Sequence, residues 1–92
     1  MEYVFDENKN KELFEQRGVT FEQAIEIISE YGVLLDFEHP NSQKYSNQRL
    51  MVIDIENYPY CIPYVMDNDK IFLKTIFSDR RFKYLLEDKY EN

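Results

Sequence analysis

Cations near the C-terminus are the side chains best suited to chemistry in this sequence. Arg80 and Arg81 follow Asp79 at the predicted start of a helix, and Lys74 lies on the predicted strand before it. Helix N-terminal N–H groups and guanidinium groups together bind phosphate, so this turn is a candidate anion site. Each cation there opposes the helix dipole by a few tenths to about 1 kcal/mol, which favours a functional role. The alternative is that Asp79 and the acidic turn at residues 67–69 neutralise the arginines.

Other candidate residues are spread along the chain. His39 lies in a polar loop and is the only histidine, and imidazole exchanges protons readily near neutral pH. It can equally be a turn residue. Lys9 and Arg17 share one face of the first predicted helix, where they either assist at the basic turn or face solvent. Beside that turn, Lys83 and Tyr84 are candidate RNA contacts through charge and base stacking, although the tyrosines can also serve packing.

Length and composition predict one domain spanning residues 1–92. The chain has 43% hydrophobic residues but only two glycines and three prolines, which indicates a folded core rather than disorder. Its single cysteine, Cys61, excludes an internal disulfide and a multi-cysteine zinc site, and it is expected to be buried. The sequence contains no glycine-rich phosphate loop. We therefore expect neither a metal site nor a cofactor.

The charge balance restricts the partners. Eighteen acidic against 11 basic residues give a net charge of −7, which opposes non-specific binding to nucleic acid. Residues 70–84 are the exception, with five cations against one acid, so any RNA chemistry should be local to this island. No apolar run approaches the roughly 20 residues that span a bilayer, and the first residues do not resemble a signal peptide. A cytoplasmic protein without membrane contact is expected.

The elements that must position these residues follow from periodicity and capping. A short strand at residues 2–5 is followed by a polar helix that begins after Asp6 and ends at Gly18. Thr20 and Gln23 form a capping-box pattern ahead of an amphipathic helix that ends near residue 31. Strands are predicted at 33–37, 49–56, 60–66 and 71–77, with a hairpin connection at 57–59. A last helix starts at residue 78 or 79.

This order predicts an α+β fold. Consecutive strands on short connections favour an antiparallel meander of three to four strands plus the short N-terminal strand. The two N-terminal helices and the C-terminal helix are expected to pack on one face of this sheet. Pro63 cannot donate to a strand ladder, so it is expected at an edge, at a bulge or in an outward position.

Three sequence blocks resemble the BrnT family of bacterial toxins. They are Phe-Asp-Glu-Asn-Lys-Asn at residues 5–10, Arg-Gly-Val-Thr-Phe-Glu-Gln-Ala at 17–24 and Ile-Phe-Ser-Asp-Arg-Arg at 76–81. The resemblance spans nearly the whole chain and implies the fold of RelE-type ribonucleases. It also implies a type II toxin–antitoxin system, in which metal-independent RNA cleavage inhibits translation. A cognate antitoxin, encoded beside the toxin, would neutralise it and would be the only route to operator DNA.

The resemblance also implies roles for individual residues. Attack of a ribose 2′-hydroxyl on phosphate needs a base, an acid and cations that stabilise the developing charge. Lys9 matches the lysine of the family, whereas Arg17 stands where the family has a histidine, so His39 would have to carry the proton. The cations that would clamp the phosphate are Arg80, Arg81 and Lys74.

A second hypothesis belongs to a different functional class. The replacement of the family histidine and the acidic balance are compatible with a non-enzymatic interaction protein. Such a degenerate relative would bind an antitoxin or another protein partner without cleaving RNA.

Overall fold

The computed structural model describes residues 2–41, 43–45 and 47–90, and it shows an α+β protein. The strands are β1 (Glu2–Val4), β2 (Leu35–Glu38), β3 (Gln48–Ile55), β4 (Tyr58–Asp67), β5 (Lys70–Leu73) and β6 (Phe77–Ser78). The helices are α1 (Glu7–Arg17), α2 (Phe21–Tyr31) and α3 (Tyr84–Tyr90), with a 3-10 turn at Arg80–Phe82. Within these residues, no helix has both the length and the apolar character required to cross a membrane.

The predicted capping residues begin and end the first two helices. Asp6 accepts a hydrogen bond from the Lys9 N–H at 2.9 Å, and Thr20 accepts one from the Gln23 N–H at 3.1 Å. Gly18 ends α1 with φ 70°, a left-handed conformation that favours glycine. These contacts satisfy backbone groups that helix ends leave unpaired, and they confirm the predicted boundaries.

The sheet is mixed, with strand order β1-β5-β4-β3-β2 and with β6 also paired to β4. The meander from β2 to β5 is antiparallel, as predicted. However, β1 pairs with β5 in parallel, so the expectation of a purely antiparallel sheet is wrong at this edge. A three-residue strand carries no pattern that reveals its distant partner. Its direction follows from where the meander ends.

Helices cover both faces of the sheet, so the expectation of helices on one face is wrong. One face packs against α1 and α2, and the other packs against the 3-10 turn and the start of α3. The reason lies in β3, where four consecutive residues, 50–53, are all buried. The first face contributes Met51, Ile53, Ile62, Tyr64 and Leu73 to the core. The second face contributes Leu50, Val52 and Cys61, which are covered by Phe77, Phe82 and Leu85.

Two strand boundaries differ from the prediction, and in both cases one residue explains the difference. The β3–β4 turn consists of Glu56 and Asn57, both left-handed with φ 52° and 67°, so β4 begins two residues earlier than expected. The predicted strand 71–77 is split into β5 and β6. Opposite this interruption lies Pro63, which has no N–H to donate and whose carbonyl accepts the Lys74 N–H at 2.8 Å. Pro63 is therefore buried in a central strand rather than placed at an edge.

Candidate functional site

The basic turn is a 3-10 turn, not the first turn of an α-helix as expected. Asp79 precedes it and accepts hydrogen bonds from the Arg81 main-chain N–H at 3.0 Å and from Arg81 Nη2 at 2.7 Å. The side-chain hydrogen bond from Arg81 holds the pKa of Asp79 below its usual range. The helix-terminal anion site is thus replaced by an ion pair. For Arg81, the alternative of local neutralisation describes the geometry, whereas Arg80 is exposed on the same turn.

Arg17 is brought to the segment that leads into the basic turn. Its Nη1 donates to the Ile76 carbonyl oxygen at 2.6 Å, across 59 residues of sequence. Lys74 starts this segment, and its Nζ lies 4.8 Å from the centroid of the Phe72 ring. Because side chains alternate along a strand, Phe72 and Lys74 are on the face opposite α1. The two cations therefore flank the sheet edge between β5 and β6.

The other predicted cations lie farther along their elements. Lys9 Nζ is 3.9 Å from Glu12 Oε2 and is two helical turns, about 12 Å, from Arg17. Lys83 Nζ lies 5.8 Å from the centroid of the Tyr58 ring. Tyr84 is 52% exposed at the first residue of α3. Lys83 and Tyr84 thus remain surface neighbours of the basic turn, and Lys9 faces solvent beside an acidic residue.

His39 is held as a turn residue. Its Nδ1 accepts the Asn41 N–H at 3.1 Å, and its ring centroid lies 4.4 Å from that of Tyr45. A neutral imidazole that accepts at Nδ1 carries its proton on Nε2. In this arrangement Nε2 is a donor, so His39 does not offer the base that the resemblance requires.

A cleft joins the loop of His39 to the basic turn, and we call it the aromatic cleft. Its volume is about 320 Å³. Pro40, next to His39, lines one side, and Arg81 lines the other. The sequence signal for it was the phenylalanine at position 82, which was interpreted only as a core residue. The lining residues are Phe37, Pro40, Leu50, Cys61, Phe77, Asp79, Arg81 and Phe82.

Cys61 forms part of the aromatic cleft's floor as a neutral thiol. Its side chain is 1% exposed, as predicted for a buried cysteine. Burial raises the pKa of the thiol to about 11, the charge of Asp79 adds to the rise, and the charge of Arg81 opposes it. Since the thiolate is the nucleophile, Cys61 is unsuited to covalent catalysis near neutral pH.

A polar cluster on three adjacent strands was missed by sequence reasoning. Asp36 accepts from Arg49 Nε at 2.9 Å and from the Tyr64 hydroxyl at 2.5 Å. Burial, and then the hydrogen bond to Asp36, raise the pKa of Tyr64 to about 12, so the phenol stays protonated and donates. The available signal was a lone aspartate in the apolar run 33–37. The cluster ties the outer strand β2 to the centre of the sheet.

A second cleft, which we call the acidic cleft, lies between the end of α2 and the β3–β4 turn. Its volume is about 380 Å³. The last turn of α2 contains no basic residue, so the negative end of the helix dipole is not offset there. The lining combines apolar side chains with two carboxylates, which suits a cation on an aliphatic stem. The residues are Ile27, Tyr31, Gly32, Leu34, Asp54, Glu56 and Asn57.

Metal-binding and similarity searches complete the description of these sites. Among the residues that the structure describes, no group of three or more His, Cys, Asp or Glu side chains is arranged to hold a metal ion. Comparison with protein-family models, with curated proteins and with solved structures returns no match for this chain.

Proposed function

We propose that this protein is a toxin-type ribonuclease with a RelE/BrnT-like fold. It would be the toxin of a bacterial type II toxin–antitoxin pair, inhibiting translation by cleaving RNA without a metal and neutralised by a cognate antitoxin. The observation that supports this most directly is the hydrogen bond from Arg17 to the Ile76 carbonyl. It joins the second and third sequence blocks of the resemblance at one edge of the sheet.

The chemistry of this edge would be electrostatic. Arg17 and Lys74 flank the segment that leads to Arg80, so a phosphate there would meet positive charge from two directions. Preorganised donors of this kind typically contribute about 100-fold to 1,000-fold each to the rate, because they stabilise charge that develops in the transition state. Arg81 uses Nε and Nη2 for Asp79, which leaves Nη1 for a phosphate oxygen. Proton transfer would then fall to water, since His39 is held as a donor.

Induced expression in bacteria tests this function. Growth and RNA integrity are followed with and without the neighbouring open reading frame, whose product should relieve the arrest. Arg80→Ala combined with Arg81→Ala should abolish RNA cleavage while leaving the thermal unfolding temperature nearly unchanged, because both side chains are exposed. Lys11→Ala with Lys44→Ala removes the same charge elsewhere and should remain toxic. Full toxicity of the arginine double variant would show that the assigned site is wrong.

A second candidate function is a non-enzymatic interaction protein, and two observations favour it. His39 is committed to the Asn41 N–H, and the acidic cleft has the apolar floor and carboxylate rim that a lysine or arginine of a partner would fill. Under this hypothesis RNA stays intact in cells that express well-folded protein. Calorimetric binding of the neighbouring gene product should be lost in Glu56→Lys and kept in Glu15→Lys, which places the same change on the exposed surface of α1.

A further inference from the structure

The aromatic cleft has the shape and polarity of a site for a flat, uncharged ring. Phe37 and Phe82 form its walls, with ring centroids 5.8 Å apart and planes tilted by 41°. Buried Leu50 and the neutral thiol of Cys61 form the floor. Its volume of about 320 Å³ lies at the lower end of the range for small-molecule sites, roughly 300–1,000 Å³. An apolar floor of this kind would penalise a charged group, because a buried charge needs a partner.

The mouth of the cleft carries a guanidinium in a fixed position. Asp79 receives the main-chain N–H of Arg81 and also its Nε and Nη2, at distances between 2.7 and 3.2 Å. The carboxylate is only 12% exposed, whereas the Arg81 side chain is 83% exposed. Asp79 therefore orients the arginine without covering it. Arg81 is left with one free Nη and an open planar face.

A nucleotide has the complementary arrangement, with a flat ring on one side of a sugar and an anion on the other. Stacking on aromatic rings and contact with guanidinium groups are the two interactions that single-stranded nucleic acid uses most often. The cations of residues 70–84 add a local positive field around the mouth. An aromatic side chain of a protein would fill the cleft equally well, but it would have no use for these cations.

We propose that the aromatic cleft holds one nucleobase of the RNA, while Arg81 contacts the phosphate of the same nucleotide. This inference rests on the proposed ribonuclease function and assigns its base-binding subsite. Phe37 and Phe82 contact the base, and Asp79 is a positioning residue for Arg81. Since stacking discriminates little among bases, the subsite fixes the register of the strand more than its sequence.

The test compares two fluorescently labelled tetranucleotides, both blocked against cleavage by 2′-O-methyl groups. One carries its bases, and the other is abasic with the same phosphates. Fluorescence anisotropy should show that the wild-type protein binds the first about fivefold to 150-fold more tightly than the second. Phe82→Leu keeps apolar volume but removes the flat ring, so it should reduce this preference to less than about threefold. Phe14→Leu, at an exposed site on α1, should leave the preference unchanged.

A measurement on the wild-type protein guards against misfolding of the Phe82 variant. Titration with the base-carrying tetranucleotide should shift the ring proton signals of Phe37 and Phe82 in NMR spectra, and the abasic tetranucleotide should not. Equal affinity for the two tetranucleotides would overturn the base subsite while leaving phosphate binding by the ribonuclease in place. Absence of binding to either one would instead overturn the proposed function together with the subsite.

Discussion

Replacing Asn10 with alanine would test how the first sequence block holds the two N-terminal helices together. Asn10 lies on α1 and is 9% exposed. Its Oδ1 accepts the Phe21 N–H at 2.7 Å, and its Nδ2 donates to Glu22 Oε1 at 2.6 Å. The Phe21 N–H is one of the donors that the start of α2 leaves without a helical partner. Thr20 satisfies the N–H of Gln23, so Asn10 completes the cap from a neighbouring helix.

The magnitude follows from these two hydrogen bonds. Leaving the buried Phe21 N–H unsatisfied costs about 1–3 kcal/mol, and losing the part-buried bond to Glu22 costs about 1 kcal/mol more. The better helix propensity of alanine returns about 0.6 kcal/mol. We expect the free energy of unfolding to fall by about 2–3 kcal/mol, which lowers the melting temperature by about 10–20 °C in a domain of this size.

Urea unfolding followed by circular dichroism at 222 nm would measure this loss. Asn8→Ala, on the exposed side of the same helix, is the matched control and should change stability by less than about 0.5 kcal/mol. Asn10→Asp keeps the acceptor for Phe21 but repels Glu22, so adding Glu22→Gln should recover part of the loss. If Asn10→Ala unfolds within about 0.5 kcal/mol of the wild type, the assigned role of the buried amide is incorrect.

Three further predictions concern single residues. Cys61 should resist Ellman's reagent in the native state at pH 8 and react only as fast as the protein opens, whereas reaction at the rate of a free thiol would contradict its burial. Because the folded pKa of Asp79 is lowered, its contribution to stability should be present above its unfolded value of about 3.9 and lost as the pH falls through the folded value. Urea midpoints between pH 2 and 5 should therefore fall more steeply for the wild type than for Asp79→Asn, and parallel curves would refute the coupling to Arg81. Asn57→Gly should stabilise the protein by about 0.5 kcal/mol, since position 57 has φ 67° in a turn that favours glycine, and a lower unfolding midpoint would speak against this turn geometry.

The arginine of the second block illustrates how function could be inferred only in part. Sequence comparison within the chain identified Arg17 and the basic turn as separate features, with a condition that the first helix pack beside that turn. The hydrogen bond to Ile76 meets this condition for Arg17, whereas Lys9 stays two turns away. A guanidinium reaches farther than a sequence pattern can indicate. Its partner is a backbone carbonyl, which every residue possesses.

The aromatic cleft shows a similar limit. Phe37, Leu50 and Phe82 belong to three different elements, and each one was interpretable by itself only as apolar. Their meeting depends on which face of the sheet the C-terminal segment covers. Four consecutive buried residues in β3 did indicate that both faces need cover, although the expectation had placed all helices on one side.

Local sequence determined the helices, their caps and the antiparallel meander, because these depend on contacts between residues a few positions apart. Asp6, Thr20 and Gly18 act within one turn of their own helix, and the strand order from β2 to β5 follows from short connections. Tertiary structure alone decided the parallel pairing of β1 with β5, the packing of the C-terminal segment on the second face and the contact of Arg17 with Ile76. Each of these joins segments that are tens of residues apart, where the choice of partner is set by how the whole chain buries its apolar surface.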